Sequence, residues 1–305
     1  MTTPRLNLIG CGRVGQTLAR LWHAAGLVEV AGLHSRTRSS AEATQQLVGA
    51  GQVFDSLADL PPADLWLITP PDAAIASVAQ QLASHLTAQA KGAHKAAQPS
   101  STQPGPQTGQ PMPHSTVTPV ALHCSGYTAS DALASLQALG WAVASAHPVR
   151  SFADPASAAG RFKGTPVALE GDAPACELAR CLFEATGGQC FAITREAKPL
   201  YHAAAVFANN FTTVLQGIAQ DLWQHCGISP EMTRQLDIAL LQSTLDNLKT
   251  RSPAEALTGP AARGDTAVVQ AQGQTVAGWD AKAGEAYALL SELAQRLKSR
   301  QPREN

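Results

Sequence analysis

One hexapeptide, Gly10-Cys11-Gly12-Arg13-Val14-Gly15, restricts the folds open to this chain more than any other feature. A G-x-G-x-x-G string alone is weak evidence, and its neighbours make it informative here. The apolar run Leu6 to Ile9 leads directly into it. A helical pattern leaves it, with Val14, Leu18, Leu21, Trp22 and Ala25 on one face and Gly26 as the stop. A second β-rich run, Val28 to Leu33, follows. In a strand–turn–helix–strand unit each glycine has a task. The first permits the tight turn, the second leaves room for a pyrophosphate, and the third lets helix and strand pack closely.

The unit therefore reads as the dinucleotide-binding start of a Rossmann domain. Gly10, Gly12, Arg13, Val14 and Gly15 form the expected pyrophosphate cradle, because the first N–H groups of the helix point at the phosphates. The end of the second strand bears on which dinucleotide binds. A carboxylate there bonds the ribose 2′-OH of NAD. This chain has His34-Ser35-Arg36-Thr37 instead, and Glu29 comes too early in the strand. Ser35 and Arg36, with Arg38 nearby, suit a 2′-phosphate, so NADP is expected over NAD.

Short β-rich runs continue to alternate with helical patterns: Gln52 to Phe54, Asp64 to Thr69, Val120 to Cys124, Trp141 to Ala146, Val167 to Glu170 and Gln189 to Ile193. That alternation predicts a doubly wound, parallel α/β sheet. Pro70-Pro71 ends the fourth strand, and Asp72 is placed to cap the helix behind it. Residues 88–119 are rich in Gln, Pro, Ser, Thr and Gly without periodicity, which predicts a flexible insertion. After Thr194 the strand pattern stops, and helical segments run to the end of the sequence, the first from Lys198 to about His225. The expected division is residues 1–194 as the dinucleotide domain and 195–305 as an all-helical domain.

The 305 residues leave room for both domains. A net charge of −1 gives no electrostatic basis for binding nucleic acid or an anionic membrane. No stretch approaches the length of a membrane span, and no signal peptide is evident. Cys11, Cys124, Cys176, Cys181, Cys190 and Cys226 are scattered without a C-x-x-C pair, which reads as thiols of a reducing cytoplasm. No metal site is expected, since His123, His147 and His202 fall on separate elements.

Ligands of open α/β sheets bind at the carboxyl ends of the strands. Three polar clusters fall at such ends: Thr69-Pro70-Pro71-Asp72, His123-Cys124-Ser125-Gly126 and His147-Pro148-Val149-Arg150. The long helix adds Lys198, His202 and Asn209 at spacings of four and seven, on one face, with Tyr201 off that line and Asn210 one step round. Such a stripe suits either an acid/base site or a hydrogen-bond network between domains. In Gly259-Pro260-Ala261-Ala262-Arg263-Gly264-Asp265, Arg263 suits a substrate carboxylate or phosphate, and Asp265 suits a helix cap.

Taken in order, G-C-G-R-V-G at 10–15, L-I-T-P-P-D at 67–72, H-C-S-G at 123–126, S-A-H-P-V-R-S-F at 145–152, A-L-E-G-D at 168–172, Y-H-A-A-A-V-F-A-N-N-F at 201–211 and L-T-G-P-A-A-R-G-D at 257–265 resemble Rossmann-like proteins whose C-terminal half is a domain of unknown function, the 2520 family. That family is similar in architecture to pyrroline-5-carboxylate reductase, 6-phosphogluconate dehydrogenase and the β-hydroxyacid dehydrogenases. The resemblance implies an NADP-binding domain and a C-terminal domain of the 6-phosphogluconate dehydrogenase C-terminal-like type that builds a homodimer. It supplies no substrate. In the β-hydroxyacid dehydrogenases a Lys and an Asn one turn apart start the long helix, whereas here Lys198 is followed by His202.

The expectation is a cytoplasmic NADP-dependent oxidoreductase acting on a C=O or C=N of a small anionic metabolite. Thr69, Pro70 and Pro71 would border the cofactor, and Ser125, His147, His202 and Asn210 would line the reacting centre. His202 would be the acid/base and Arg263 the anion clamp. The competing expectation is an NADP(H)-binding sensor or scaffold without turnover.

Overall fold

The computed structural model describes residues 3–96 and 118–299. The chain forms two compact units, 1–207 and 208–305.

The first unit is an α/β sheet of eight strands: β1 (Arg5–Ile9), β2 (Glu29–His34), β3 (Gln52–Val53), β4 (Leu65–Ile68), β5 (Val120–His123), β6 (Ala142–Pro148), β7 (Pro166–Gly171) and β8 (Gln189–Ala192). Their spatial order is β3-β2-β1-β4-β5-β6-β7-β8. Helices α1 (Arg13–Ala24), α2 (Arg38–Val48), α3 (Ile75–Ala96), α4 (Ala134–Gln137), α5 (Pro155–Gly160) and α6 (Ala173–Ala185) fall between the strands, and α7 (Lys198–Ala205) follows them. Burial on both faces explains the unbroken apolar runs of the central strands. Leu65 and Leu67 of β4 face one way, packing with Leu18, Trp22, Leu182 and Phe183 of α1 and α6. Trp66 and Ile68 face the other, with Ile75, Ala79 and Leu82 of α3.

The sheet departs from the all-parallel expectation at one pairing. β7 runs antiparallel to β6, starting opposite Pro148, where β6 ends. The short α5 between them packs with α1 and makes no crossover along the sheet.

Several helices also differ from expectation. α2 has no apolar stripe to announce it, since its buried residues are the small Ala41 and Thr44. α3 continues past Ala88 to Ala96, because Ala, Gln and Lys favour helix even without periodicity. The rest of the expected insertion, 97–117, lies outside the described residues. Asp72 is not the expected helix cap. It opens a 3-10 turn, Asp72–Ala74, whose N-cap is Pro71.

The second unit is helical: α8 (Thr212–His225), α9 (Pro230–Leu248), α10 (Pro253–Ala256), α11 (Pro260–Arg263), α12 (Thr266–Trp279) and α13 (Ala281–Ser299). Ser229 caps α9 by accepting the Met232 N–H, and Ser252 with Glu255 forms a capping box on α10. Asp265 stands at the N-cap of α12 as expected, but its side chain makes no cap bond. Gly284 lets α13 close on α12, since a Cβ there would lie 2.5 Å from the Ala277 Cβ. Among the described residues no helix is long and apolar enough to cross a membrane.

Candidate active site

The glycine turn is shaped by what crowds it. Gly10 has φ +92°, and a Cβ there would lie 2.5 Å from the Thr69 carbonyl carbon and the Pro70 nitrogen. A Cβ on Gly15 would meet Thr69 Oγ1 at 2.5 Å and the Gly10 carbonyl oxygen at 2.8 Å. Thr69 Oγ1 donates to that same carbonyl at 2.7 Å, so the end of β4 locks the turn after β1. Gly12 is different. The nearest atom to a Cβ there is the Thr69 carbonyl oxygen, 4.0 Å away. It is also the N-cap of α1, with no side chain satisfying the helix's first N–H groups, including those of Arg13 and Val14. The turn thus offers free donors and open space together, which is what a pyrophosphate needs.

A cavity of about 440 Å³ runs from Gly10 and Gly12, past Thr69, Pro70 and Pro71, to Ser35 and Arg36. Ser35 Oγ accepts the Cys11 N–H at 3.4 Å, which leaves its own proton free to donate. Arg36 is exposed. Arg38, expected to assist, is engaged elsewhere, by Asp55 at 2.6 Å and Glu42 at 2.9 Å.

The carboxyl ends of β4, β5 and β6 meet along one edge. Ser125 Oγ donates to Asp72 Oδ2 at 2.6 Å, which joins the loops after β4 and β5. The same oxygen accepts the N–H groups of Tyr127 and Thr128 at 3.2 and 2.8 Å. The hydroxyl is fully used as a brace, so Ser125 shapes the site without a proton to offer. His123 is buried, takes the Ser125 N–H on Nδ1 at 3.2 Å, and has its Nε2 3.0 Å from the Ala129 carbonyl. That pattern fixes a neutral Nε2–H tautomer, and burial pushes the ring down to about 4.

His147, near the end of β6, meets α7. Its Nδ1 lies 2.8 Å from the Tyr201 hydroxyl, and its ring centroid is 5.8 Å from that of His202, edge to face. Gly126 passes beneath both rings. A Cβ there would clash with His202 Nδ1 and would lie 2.9 Å from His147 Nε2. Burial pushes the His147 imidazole down to about 4, helped by the neighbouring His202 and Lys198. Burial also pushes the Tyr201 hydroxyl up to about 12, so it remains protonated at neutral pH. His202 Nδ1 is buried and has no hydrogen-bond partner among the described residues.

Lys198 was read from the sequence as part of a stripe. Its side chain is fully buried, and its ammonium donates to the Ser125 carbonyl at 3.1 Å and to Ser145 Oγ at 2.7 Å. Of the expected reacting residues, the first unit brings together Ser125, His147 and His202. Sequence reasoning missed Asp72 as the partner of Ser125 and Tyr201 as the partner of His147. The one available signal for Tyr201 was its position beside His202. The spacing argument for Asn209 does not carry through, because a π-helical turn, Val206–Phe211, interrupts the helix after α7. Asn210 and Arg263 belong to the second unit. Asn210 lies in that turn and accepts the Asn209 amide at 3.2 Å, and Arg263 is exposed at the end of α11.

Residues 165–294 match the family described as Domain of unknown function (DUF2520). No curated protein matches the sequence. Among solved structures, a Bacteroides fragilis protein with a proposed NADP oxidoreductase activity superposes with a TM-score of 0.71 at 20% identity, covering 96% of this chain and 98% of its own. A Thermotoga maritima protein gives 0.66 at 22% identity, covering 96% and 98%. A pyrroline-5-carboxylate reductase of Coxiella burnetii gives 0.56 at 13% identity, covering 98% and 100%. The chain has the fold of these proteins, a mostly parallel Rossmann-like sheet followed by helices.

Proposed function

We propose that this protein is an NADP-dependent oxidoreductase that reduces or oxidises a C=O or C=N bond of a small anionic metabolite. One observation carries the reading: a locked glycine turn with free helix donors opens into a cavity that ends at Ser35 and Arg36, where no carboxylate stands. Gly10, Gly12, Arg13, Val14 and Gly15 hold the pyrophosphate, and Thr69, Pro70 and Pro71 border the cofactor. Ser35 and Arg36 hold the 2′-phosphate, Arg36 as a guanidinium suited to bidentate contact. When bound, the nicotinamide supplies or accepts the hydride.

The chain's own residues manage the proton. His202 donates it to, or takes it from, the reacting oxygen or nitrogen. His147 stays neutral beside it at neutral pH, because burial pushes its ring down to about 4. Tyr201 fixes the His147 ring through Nδ1 and leaves Nε2 directed toward Gly126. Six unpaired cysteines fit a cytoplasmic location. The exposed Ile238, Leu241, Leu245 and Leu248, spaced three and four apart on α9, fit a homodimer built through the second unit.

Calorimetric titration with NADPH and NADH side by side tests the reading. Micromolar binding that favours NADPH supports it, and absence of binding by either overturns it.

A further inference from the structure

We infer that Lys198 is a positioning residue of this site: its ammonium ties the Ser125–Gly126 turn to β6, so that Gly126 presents a bare backbone on which the His147 and His202 rings pack. The inference rests on the oxidoreductase reading for its consequence in turnover, but its geometry stands independently of it.

Three observations converge. First, the ammonium lies 3.1 Å from the Ser125 carbonyl and 2.7 Å from Ser145 Oγ, and Ser145 Oγ itself donates to the Ser125 carbonyl at 3.1 Å. Lysine, turn and strand therefore close one triangle of hydrogen bonds. Second, the turn held this way leads directly into Gly126, whose missing side chain is the space taken by the two imidazoles. A small movement of the Ser125 carbonyl would move that seat. Third, Lys198 has no exposed surface, so its amine does not reach a ligand.

A buried ammonium is an expensive brace. It loses its hydration, and the acceptors it bonds here are neutral. Burial pushes the Lys198 amine down from its ordinary value, and Glu170 and Asp72 favour its charged form. The groups facing His147 are His202 and Tyr201 on α7, Lys198 on the same helix, and Asp72 in the loop after β4. Of these, the Lys198 charge opposes protonation of His147 and Asp72 favours it. Burial and His202 do most to keep His147 neutral; Lys198 adds to them and, through the Ser125–Gly126 turn, sets where the ring sits.

The test follows the histidine ring signals of the full-length, ligand-free chain by NMR titration, in wild type, Lys198→Met and Lys198→Arg. His147→Asn and His202→Asn assign the signals. In Lys198→Met the His147 titration is expected to move upward by about half a pH unit or more, with a shifted Gly126 amide. Lys198→Arg, which keeps the charge, should hold His147 low. In wild type, Lys198 should resist a water-soluble amine reagent that modifies surface lysines. A folded Lys198→Met in which neither the His147 titration nor the Gly126 amide changes overturns the inference. So does rapid modification of Lys198 in wild type, a measurement that needs no variant to fold. Failure to bind NADPH would remove the oxidoreductase reading and leave these outcomes intact.

Discussion

The two ends of the candidate site are built on opposite principles. At the cofactor end, shape comes from side chains that are missing: Gly10 and Gly15 admit Thr69 and Pro70 against the backbone, and Gly12 leaves space. At the reacting end, shape comes from side chains that are buried and bonded: Lys198, Ser125, Asp72, His147 and Tyr201 each hold another. The first kind of site is fixed by sterics, where Thr69, 59 residues on, closes against the Gly10 turn. The second depends on contacts 53 to 73 residues apart in sequence. A steric site should fail outright when altered, and a bonded network should fail by degrees and respond to pH.

The largest effect should come from the steric end. Gly10→Val places a branched side chain at positive φ against the Thr69–Pro70 backbone, and it should abolish measurable NADPH binding while costing several kcal/mol of stability. Calorimetry and urea denaturation would read the two effects, and normal binding would break the contrast. At the reacting end, His202→Asn should lower kcat by about 10²- to 10⁴-fold while NADPH affinity stays near wild type. Full turnover in that variant would remove His202 as the acid/base.

The third prediction uses pH. His123 and His147 both sit at about 4 in the folded chain, below the ordinary 6.5. As pH falls the unfolded chain therefore takes up protons first. Stability contributed by keeping these rings neutral is complete above about pH 6.5 and is lost as pH falls toward about 4. The unfolding free energy read by urea denaturation should drop across that window, by roughly 5 kcal/mol in all. The drop should be smaller in His123→Asn, and an unchanged slope in that variant would contradict the assignment. The smallest effect sharpens the cofactor end. Arg36→Ala should weaken NADPH about tenfold and leave NADH unaffected. Arg38→Ala should change neither affinity, because Arg38 is paired with Glu42 and Asp55.

The same contrast explains what the sequence made legible. The β1–α1–β2 unit was readable because its signals lie within one turn: a strand, three glycines and an apolar stripe. His147 and His202 stood out as polar residues at a strand end and on an apolar helix. What they touch was not readable, because Tyr201 and Gly126 approach His147 only after β5, β6 and α7 pack. Asp72 looked like a helix cap for the same reason, since local sequence offers that role and the competing partner, Ser125, is distant. Helix α2 escaped notice because it buries Ala41 and Thr44, not a row of large apolar residues. The π-helical turn at Val206–Phe211 carries no periodicity of its own and shifts the spacing of everything after it.

Residue 126 stands at the lower limit of side-chain size. Every single substitution there adds atoms, and adds them where the rings of His147 and His202 already lie. Mutation at this position can therefore only close the site and never widen it. A change of substrate preference would have to arise through neighbours that have room to shrink as well as grow, with this one position held still.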